Sequence, residues 1–161
     1  MSAADLILRA KDILWHETPI VGDCGRLCKK RCCRGDESQG MRLLPGEYEA
    51  SGLADFGQIY GDIFVCSGEC DRRRRPYACM VFPLFPFIME RNDLLYVRAI
   101  PDLRGRRICP LYAEKLNPSF CTAIRRSARI LCEDAQIKNH LLQESDHMLD
   151  GMRLNSLLNE F

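Results

Sequence analysis

Apolar residues recur at helical spacing near the start of the chain. The positions that follow the 3.6-residue period are Leu6, Ile7, Ala10, Ile13 and Leu14. Ser2, with Asp5 three residues later, is typical of a capping box. The pattern therefore predicts an amphipathic N-terminal helix over residues 3–16.

The last third of the chain has the same periodicity. Asn117 followed by Pro118 suits an N-cap and a first helical turn. One apolar face then comprises Cys121, Ile124, Ala128, Leu131 and Ala135. Cys132 falls within about 20° of Cys121 on such a helix, so both cysteines are interpreted as core residues. With a second helix at 137–149, the C-terminal helices are predicted over residues 117–149.

Between these ends the pattern predicts short elements and irregular loops. Short strands are expected at residues 41–44, 63–65 and 94–100, and a helix at 47–59. Residues 80–89 are apolar, but Pro83 and Pro86 favour an irregular buried segment. We therefore expect an α+β fold in a small single domain over residues 1–161. In it, helices at both ends flank an irregular cysteine-rich core at residues 24–109.

Composition and charge exclude several classes of protein. Hydrophobic residues make up 47% and charged residues 28% of the 161, which is ordinary for a globular domain. A net charge of +1 gives no global basic field, so a nucleic-acid partner is not favoured. No apolar run approaches the ~20 residues of a membrane span. The N-terminus lacks the charge and apolar pattern of a signal peptide, so we expect a cytoplasmic protein.

Eight of the ten cysteines come in bursts within the central region. They are Cys24, Cys28, Cys32, Cys33, Cys66, Cys70, Cys79 and Cys109. In a reducing compartment, clustered cysteines more often bind metal or perform redox chemistry than form disulfides. Five disulfides in a secreted protein are the alternative. We interpret all eight as candidate metal ligands.

Thiolates bind zinc and iron strongly, and four of them complete the usual closed site. Eight would suffice for two centres, or for one centre with spare thiols. Three residues separate Cys24 from Cys28, where a zinc ribbon has two, and the adjacent Cys32-Cys33 pair does not fit a bacterial ferredoxin. Ligation by sulfur without a nearby histidine, together with Cys109-Pro110, slightly favours an iron–sulfur cluster over zinc.

Basic residues surround the cysteine bursts. They occur at positions 29–31 and 34, and again at 72–75. Cations beside thiolates lower the thiol pKa and offset excess negative charge. The alternative is that they are solvated loop charges. A nucleic-acid role for 72–75 is not favoured, because no aromatic residues interleave them for base stacking.

Arg75-Pro76-Tyr77-Ala78-Cys79, followed by Phe82-Pro83, resembles the YkgJ-type family of small bacterial cysteine-cluster proteins. The Cys32-Cys33 pair matches the end of that family's cysteine-rich start, and Glu47 matches a glutamate after a short apolar segment. The resemblance covers residues 24–83. It implies a domain that chelates zinc or iron, and it implies no reaction. A similar cysteine arrangement occurs in flagellin lysine methylases.

Other polar residues offer weaker candidates. The three histidines lie outside the cysteine region, at His16, His140 and His147, which disfavours a Cys/His nucleophile. Acid–base roles stay open for Asp62, Glu69 and Asp71, although loop charge is the favoured interpretation. Glu47 is either a helix-start charge or a group beside the metal.

The sequence therefore predicts a metal-binding protein whose centre is structural or serves electron transfer. A non-enzymatic role is favoured, and no catalytic residue is assigned. The alternatives are an enzyme or enzyme subunit linked to protein lysine methylation, and a redox or metal sensor. A protein partner stays open.

Overall fold

Six α-helices and five strands in the described part of the chain confirm the predicted α+β class. The computed structural model describes residues 1–34, 40–68 and 71–158. The helices are α1 (Ala3–Leu14), α2 (Gly25–Cys28), α3 (Glu47–Ala50), α4 (Tyr77–Val81), α5 (Pro118–Leu131) and α6 (Ala135–Leu158). The strands are β1 (Met41–Arg42), β2 (Gly57–Tyr60), β3 (Ile63–Cys66), β4 (Leu84–Arg91) and β5 (Leu94–Pro101). None of the described helices has the length and apolarity needed to cross a bilayer.

The two helices predicted from capping signals begin where expected. Ser2 caps α1: its Oγ accepts the Asp5 N–H at 3.2 Å, and the Asp5 carboxylate accepts the Ser2 N–H at 3.0 Å. Asn117 caps α5 by accepting the Ser119 N–H at 3.3 Å. Each side-chain oxygen satisfies a backbone donor that has no partner in the first helical turn.

The main core lies where α1 packs on α5, with α4, α6, β4 and β5 around them. Its fully buried side chains include Ile7, Leu14, Phe120, Ile124, Leu131 and Ile137. Cys121 and Cys132 are partly buried and pack against this cluster, as predicted. Burial of this apolar surface is the main stabilising term for the helical half.

The irregular segment predicted over 80–89 is wrong, because these residues form the end of α4 and most of β4. β4 and β5 pair as a two-stranded antiparallel hairpin. The N–H of Ile88 points away from β5, to the hydroxyl of Ser145 at 2.9 Å. Pro86, two residues earlier, therefore presents its nitrogen to the same outer edge, where a missing N–H breaks no ladder hydrogen bond.

A second antiparallel sheet has the strand order β1-β3-β2 and covers a small core of Leu43, Leu53 and Phe64. The helix predicted over 47–59 is wrong beyond its first turn. Gly52, at φ 58°, ends α3, and a 3₁₀ turn leads into β2. Gly57 pairs with Cys66, and a Cβ at Gly57 would lie 2.1 Å from the Val65 carbonyl oxygen. A glycine there lets β2 approach the end of β3 that carries Cys66.

Candidate metal centre

The first cysteine burst, at residues 24–33, begins with a single helical turn, and the helix then ends. A continuous helix would put Cys24, Cys28 and Cys32 on one face, but α2 ends at Cys28. Lys29 and Lys30 then take left-handed conformations, with φ of 53° and 57°, and a 3₁₀ turn covers Arg31–Cys33. The chain direction therefore changes between Cys28 and Cys32, and these two thiols line different cavities.

A cavity of about 570 Å³ is lined by thiols from three separate segments of the chain. Cys24 comes from the start of the first burst, Cys32 and Cys33 from the 3₁₀ turn, and Cys79 from α4. A smaller cavity of about 30 Å³ shares the last three thiols and adds Cys66 from the end of β3. Folding thus brings together cysteines that are more than forty residues apart in sequence.

Two further candidate thiols, Cys28 and Cys109, line a third cavity, of about 450 Å³. Burial raises the pKa of Cys109, and negative charge on Cys28 adds to the increase. The pKa of Cys24 is also raised, first by burial and then by Asp23, Cys109 and Cys28.

Seven of the eight candidate ligands thus line these three cavities, namely Cys24, Cys28, Cys32, Cys33, Cys66, Cys79 and Cys109. Cys70 and Glu69 lie outside the described residues. The nine described cysteines form no disulfide with one another. The disulfide framework considered as an alternative is therefore not seen in the described parts of the chain.

Cys32 and Cys33 interact directly. A hydrogen bond between the two sulfurs lowers the pKa of Cys33, and the nearby charges of Arg75 and Lys30 lower it further. The same hydrogen bond, together with burial, raises the pKa of Cys32. The pair therefore favours one thiolate held by a neighbouring thiol, which is a form in which sulfur binds metal.

The four arginines at 72–75 divide between two environments. Arg73 stacks on the Trp15 ring, with 5.7 Å to its centroid, and Arg74 lies over Phe56 and pairs with Asp55. Arg72 and Arg75 instead line the large thiol cavity, together with Lys30. The predicted placement of cations beside thiolates thus holds for two of the four arginines, and the other two serve local packing.

One side-chain N–H of Arg72 lacks a hydrogen-bond acceptor among the described residues. Its Nη2 donates to the Glu17 carbonyl oxygen at 2.8 Å, but its Nε is buried and has no hydrogen-bond partner among the described residues. Burial lowers the pKa of Arg72, and Arg75 lowers it further. A buried N–H without a partner costs about 1–3 kcal/mol. An anionic group in the cavity would remove that cost.

These features fit an anionic sulfur-ligated centre. A thiolate-bound iron–sulfur cluster or zinc ion carries negative charge and accepts hydrogen bonds at sulfur, which suits the cations and the Arg72 N–H. Within residues 1–34, 40–68 and 71–158, no three His, Cys, Asp or Glu side chains form a group that could hold a metal ion. The described thiols instead surround a space far larger than the ~30 Å³ share of one water molecule.

Glu47 is fully buried and binds the start of α4, the helix that carries Cys79. Its carboxylate accepts the N–H groups of Leu44 at 3.0 Å and Tyr77 at 2.5 Å. Burial raises its pKa, and the two N–H groups and the charge of Lys11 oppose that shift. Tyr77 begins α4, so Glu47 fixes the helix that carries Cys79. Glu47 thus acts on the thiol site through the backbone.

Lys11 was missed in the sequence, although a signal was present. It lies four residues after Ile7 and three before Leu14, on the apolar face of α1. Its side chain is buried and donates to the Ser51 hydroxyl at 2.7 Å. A lysine on a buried helix face needs an anionic or polar partner, which Glu47 and Ser51 supply.

The other polar candidates lie away from the described thiols. His140 lines a different small cavity with Arg42 and Glu144. His16 and His147 are exposed. Asp62 pairs with Arg42 at 3.4 Å, and Asp71 accepts the Arg73 N–H at 3.0 Å. No histidine is among the described residues that line these three thiol cavities.

No protein-family model, no curated protein and no solved structure matches this chain. The resemblance to the YkgJ-type family therefore rests on the residues between positions 24 and 83.

Proposed function

We propose that this chain is a cytoplasmic metal-binding protein whose clustered cysteines hold an iron–sulfur cluster or zinc. One observation carries the proposal: seven cysteines from remote segments line three cavities, two of which share Cys32, Cys33 and Cys79, and these seven form no disulfide with one another. Thiols rarely gather in this way without a shared ligand or a disulfide. When bound, the metal would supply either a cross-link between loops or a site for one-electron transfer.

An iron–sulfur cluster is favoured over a single zinc ion. Zinc holds four ligands at about 2.0–2.3 Å, which requires the donors to converge closely. A cluster is larger, and its ligand sulfurs stand further apart, in keeping with the thiols spread around the 570 Å³ cavity. Zinc remains the second choice.

Each part of the surrounding chain has a role in this proposal. Cys32, Cys33 and Cys79 line both thiol cavities, so they are the ligands that we expect to be essential. Arg72 and Arg75 offset the negative charge of the sulfurs. Glu47 holds the start of α4, so that Cys79 keeps its position.

Anaerobic purification followed by metal analysis and an absorption spectrum tests the proposal directly. Iron with sulfide and a broad band near ~400 nm would identify a cluster. Colourless protein with stoichiometric zinc would identify the alternative. Protein that contains neither metal after anaerobic purification would contradict metal binding.

Cysteine variants test which thiols bind the metal. We expect Cys79→Ser and Cys66→Ser each to lose at least about half of the bound metal, because a serine hydroxyl is a poor ligand for zinc or iron. Cys121→Ser is the matched control, since Cys121 packs on the helical core and lines none of the three cavities. Equal metal content in all three variants would show that Cys66 and Cys79 do not bind the metal.

The cavity also favours a second candidate function. At about 570 Å³ it falls in the range of small-molecule sites, roughly 300–1,000 Å³, so an enzyme linked to protein modification is the alternative. X-ray absorption of the purified metalloprotein separates the two. Four sulfur ligands per metal support a structural or electron-transfer centre, whereas three sulfurs and a light atom support an open catalytic site.

A further inference from the structure

The cleft that contains Cys28 and Cys109 is strongly basic. Its two walls come from separate segments, one at 29–34 and one at 106–107, and it has a volume of about 450 Å³. Five cationic side chains line it: Lys29, Arg31, Arg34, Arg106 and Arg107. The whole chain has 23 cationic and 22 acidic residues, so this cleft is a local concentration of positive charge.

None of these five cations forms an ion pair or a side-chain hydrogen bond within residues 1–34, 40–68 and 71–158. No described acidic residue lines the cleft. Some arginines outside the cleft are paired: Arg42 binds Glu144, and Arg104 binds Asp102 through two nitrogens. Within the cleft, mutual repulsion of the five clustered charges favours an anionic occupant.

The backbone conformation of Lys29 and Lys30 places these neighbouring lysines in different cavities. Lys29 and Lys30 are consecutive non-glycine residues in the left-handed region, which costs roughly 1 kcal/mol or more for each. Lys29 lines the basic cleft, and Lys30 lines the thiol cavity. Such strain persists where the surrounding structure requires it. Here it directs two adjacent lysines to two different sites.

The shape and composition of the cleft define the class of anion. Its volume suits a small molecule. Four of the five cations are arginines, whose planar guanidinium groups bind phosphate through two parallel hydrogen bonds. The described lining contains no aromatic side chain on which a nucleic-acid base would stack. The cleft therefore supplies groups that bind phosphate, and its described lining supplies none on which a base would stack.

We propose that the cleft between residues 29–34 and 106–107 binds a small anion with several phosphate groups. Cys28 and Cys109 line this cleft and are also candidate metal ligands, but the proposed recognition of phosphate rests on the five cations and not on these two thiols. The cations that face the large thiol cavity are a separate set, Lys30, Arg72 and Arg75.

Titration calorimetry with tripolyphosphate tests the proposal on the purified full-length chain. We expect saturable binding to one site. Arg106→Gln/Arg107→Gln and Arg31→Gln/Arg34→Gln should each weaken it at least about tenfold, because each pair removes two charge-assisted donors from one wall. Arg126→Gln/Arg129→Gln is the matched control, since both of these arginines are exposed on α5 and lie outside the cleft. The control should bind as the unaltered chain does.

Three results would overturn the proposal. One is unchanged affinity in both cleft variants. The second is equal binding of butane-1,2,3,4-tetracarboxylate, which would show general anion attraction in place of phosphate recognition. The third is binding of a short single-stranded RNA more than about tenfold tighter than tripolyphosphate at the same ionic strength, which would identify a nucleic-acid surface.

Two further measurements keep these results interpretable. Circular dichroism checks the folding of each variant, and if one pair fails to fold, the variant of the other wall decides the outcome. Metal content is measured on the same samples. Loss of phosphate binding with unchanged metal content separates failure of the cleft from failure of the proposed metal centre.

Discussion

Two parts of the molecule are ordered by different means. One is the helical half, which consists of α1, α5 and the main core around them. The other is the thiol half, which contains the first group of cysteines, at residues 24–33, and the cavities that the thiols line. α1 and α5 carry side-chain caps and bury an apolar face in the main core. In contrast, α2 and the 3₁₀ turn at Arg31–Cys33 have no buried residue and no side-chain cap. The nine described cysteines are all only partly buried. The helical half thus contains the main hydrophobic core, whereas the first group of cysteines lies among thiols, cations and cavities.

The difference suggests what each half requires. Apolar burial stabilises the helical half without any ligand. The first cysteine burst contains no comparable burial, and its left-handed lysines cost free energy. In our proposal the metal supplies the missing stabilisation, because binding energy at a site built by folding is also folding energy. Stability of the two halves should therefore respond to different changes.

The largest effect is expected in the helical core. Phe120→Ala should lower the free energy of unfolding by about 4 kcal/mol, because Phe120 is fully buried between helices and its removal leaves a cavity. Chemical denaturation measures the change. Leu8→Ala on the exposed side of α1 is the control and should cost less than about 1 kcal/mol. A Phe120→Ala loss as small as that of the control would contradict the assignment of the main core.

Glu47 connects the two halves, and its replacement ranks second. Glu47→Gln should cost about 3 kcal/mol, because an amide cannot accept both backbone N–H groups and leaves the buried Lys11 charge less compensated. It should also reduce metal content, since α4 carries Cys79. Denaturation and metal analysis measure these effects. Glu49→Gln, exposed in the same helix, should change neither, and equal behaviour of the two variants would show that Glu47 does not hold the start of α4.

Metal removal should affect the thiol half more than the helical half. After chelation under reducing conditions, amides of residues 24–34 should exchange with solvent about a hundredfold faster, while amides in α1 and α5 keep most of their protection. Hydrogen–deuterium exchange with mass spectrometry measures both regions in one sample. Uniform loss of protection across the chain would mean that the two halves unfold together and that the metal does not stabilise the thiol half separately.

The smallest effect concerns pH and His140. Burial lowers the pKa of His140 below its ordinary value of 6.5; Glu144 opposes this shift and Arg42 adds to it. The unfolded chain therefore binds the proton more tightly, so the stabilising contribution is present above pH 6.5 and is lost as pH falls through the lowered pKa. His140→Gln should reduce the pH dependence of the unfolding free energy between about pH 7 and 5. His16→Gln, at an exposed position, should leave the slope unchanged.

Much of the helical half could be predicted because its signals are local. The capping residues Ser2 and Asn117 lie beside the helices that they start, and the apolar period of α5 is strong. The segment at 80–89 could not be read in this way. Pro86 argues against a strand unless its nitrogen faces an outer edge, and that depends on pairing with β5.

The thiol site shows the same limit. Clustered spacing indicated which cysteines belong together, and folding places seven of them around three cavities. A continuous helix through residues 24–33 does not form, because Lys29 and Lys30 adopt a conformation that non-glycine residues rarely take. The division of the arginines at 72–75 was also not readable, since it depends on Trp15, Phe56 and Asp55, which come from other parts of the chain.

By itself, the sequence determined where α1 and α5 begin, the α+β class and which cysteines are candidate ligands, because short-range periodicity, capping and residue spacing encode them. The tertiary structure decided which thiols share a cavity, which cations line the same cavities, and that the buried Lys11 donates to Ser51. These contacts join residues that are distant in sequence. They form only when loop closure and burial place the segments side by side, and no local pattern records that outcome.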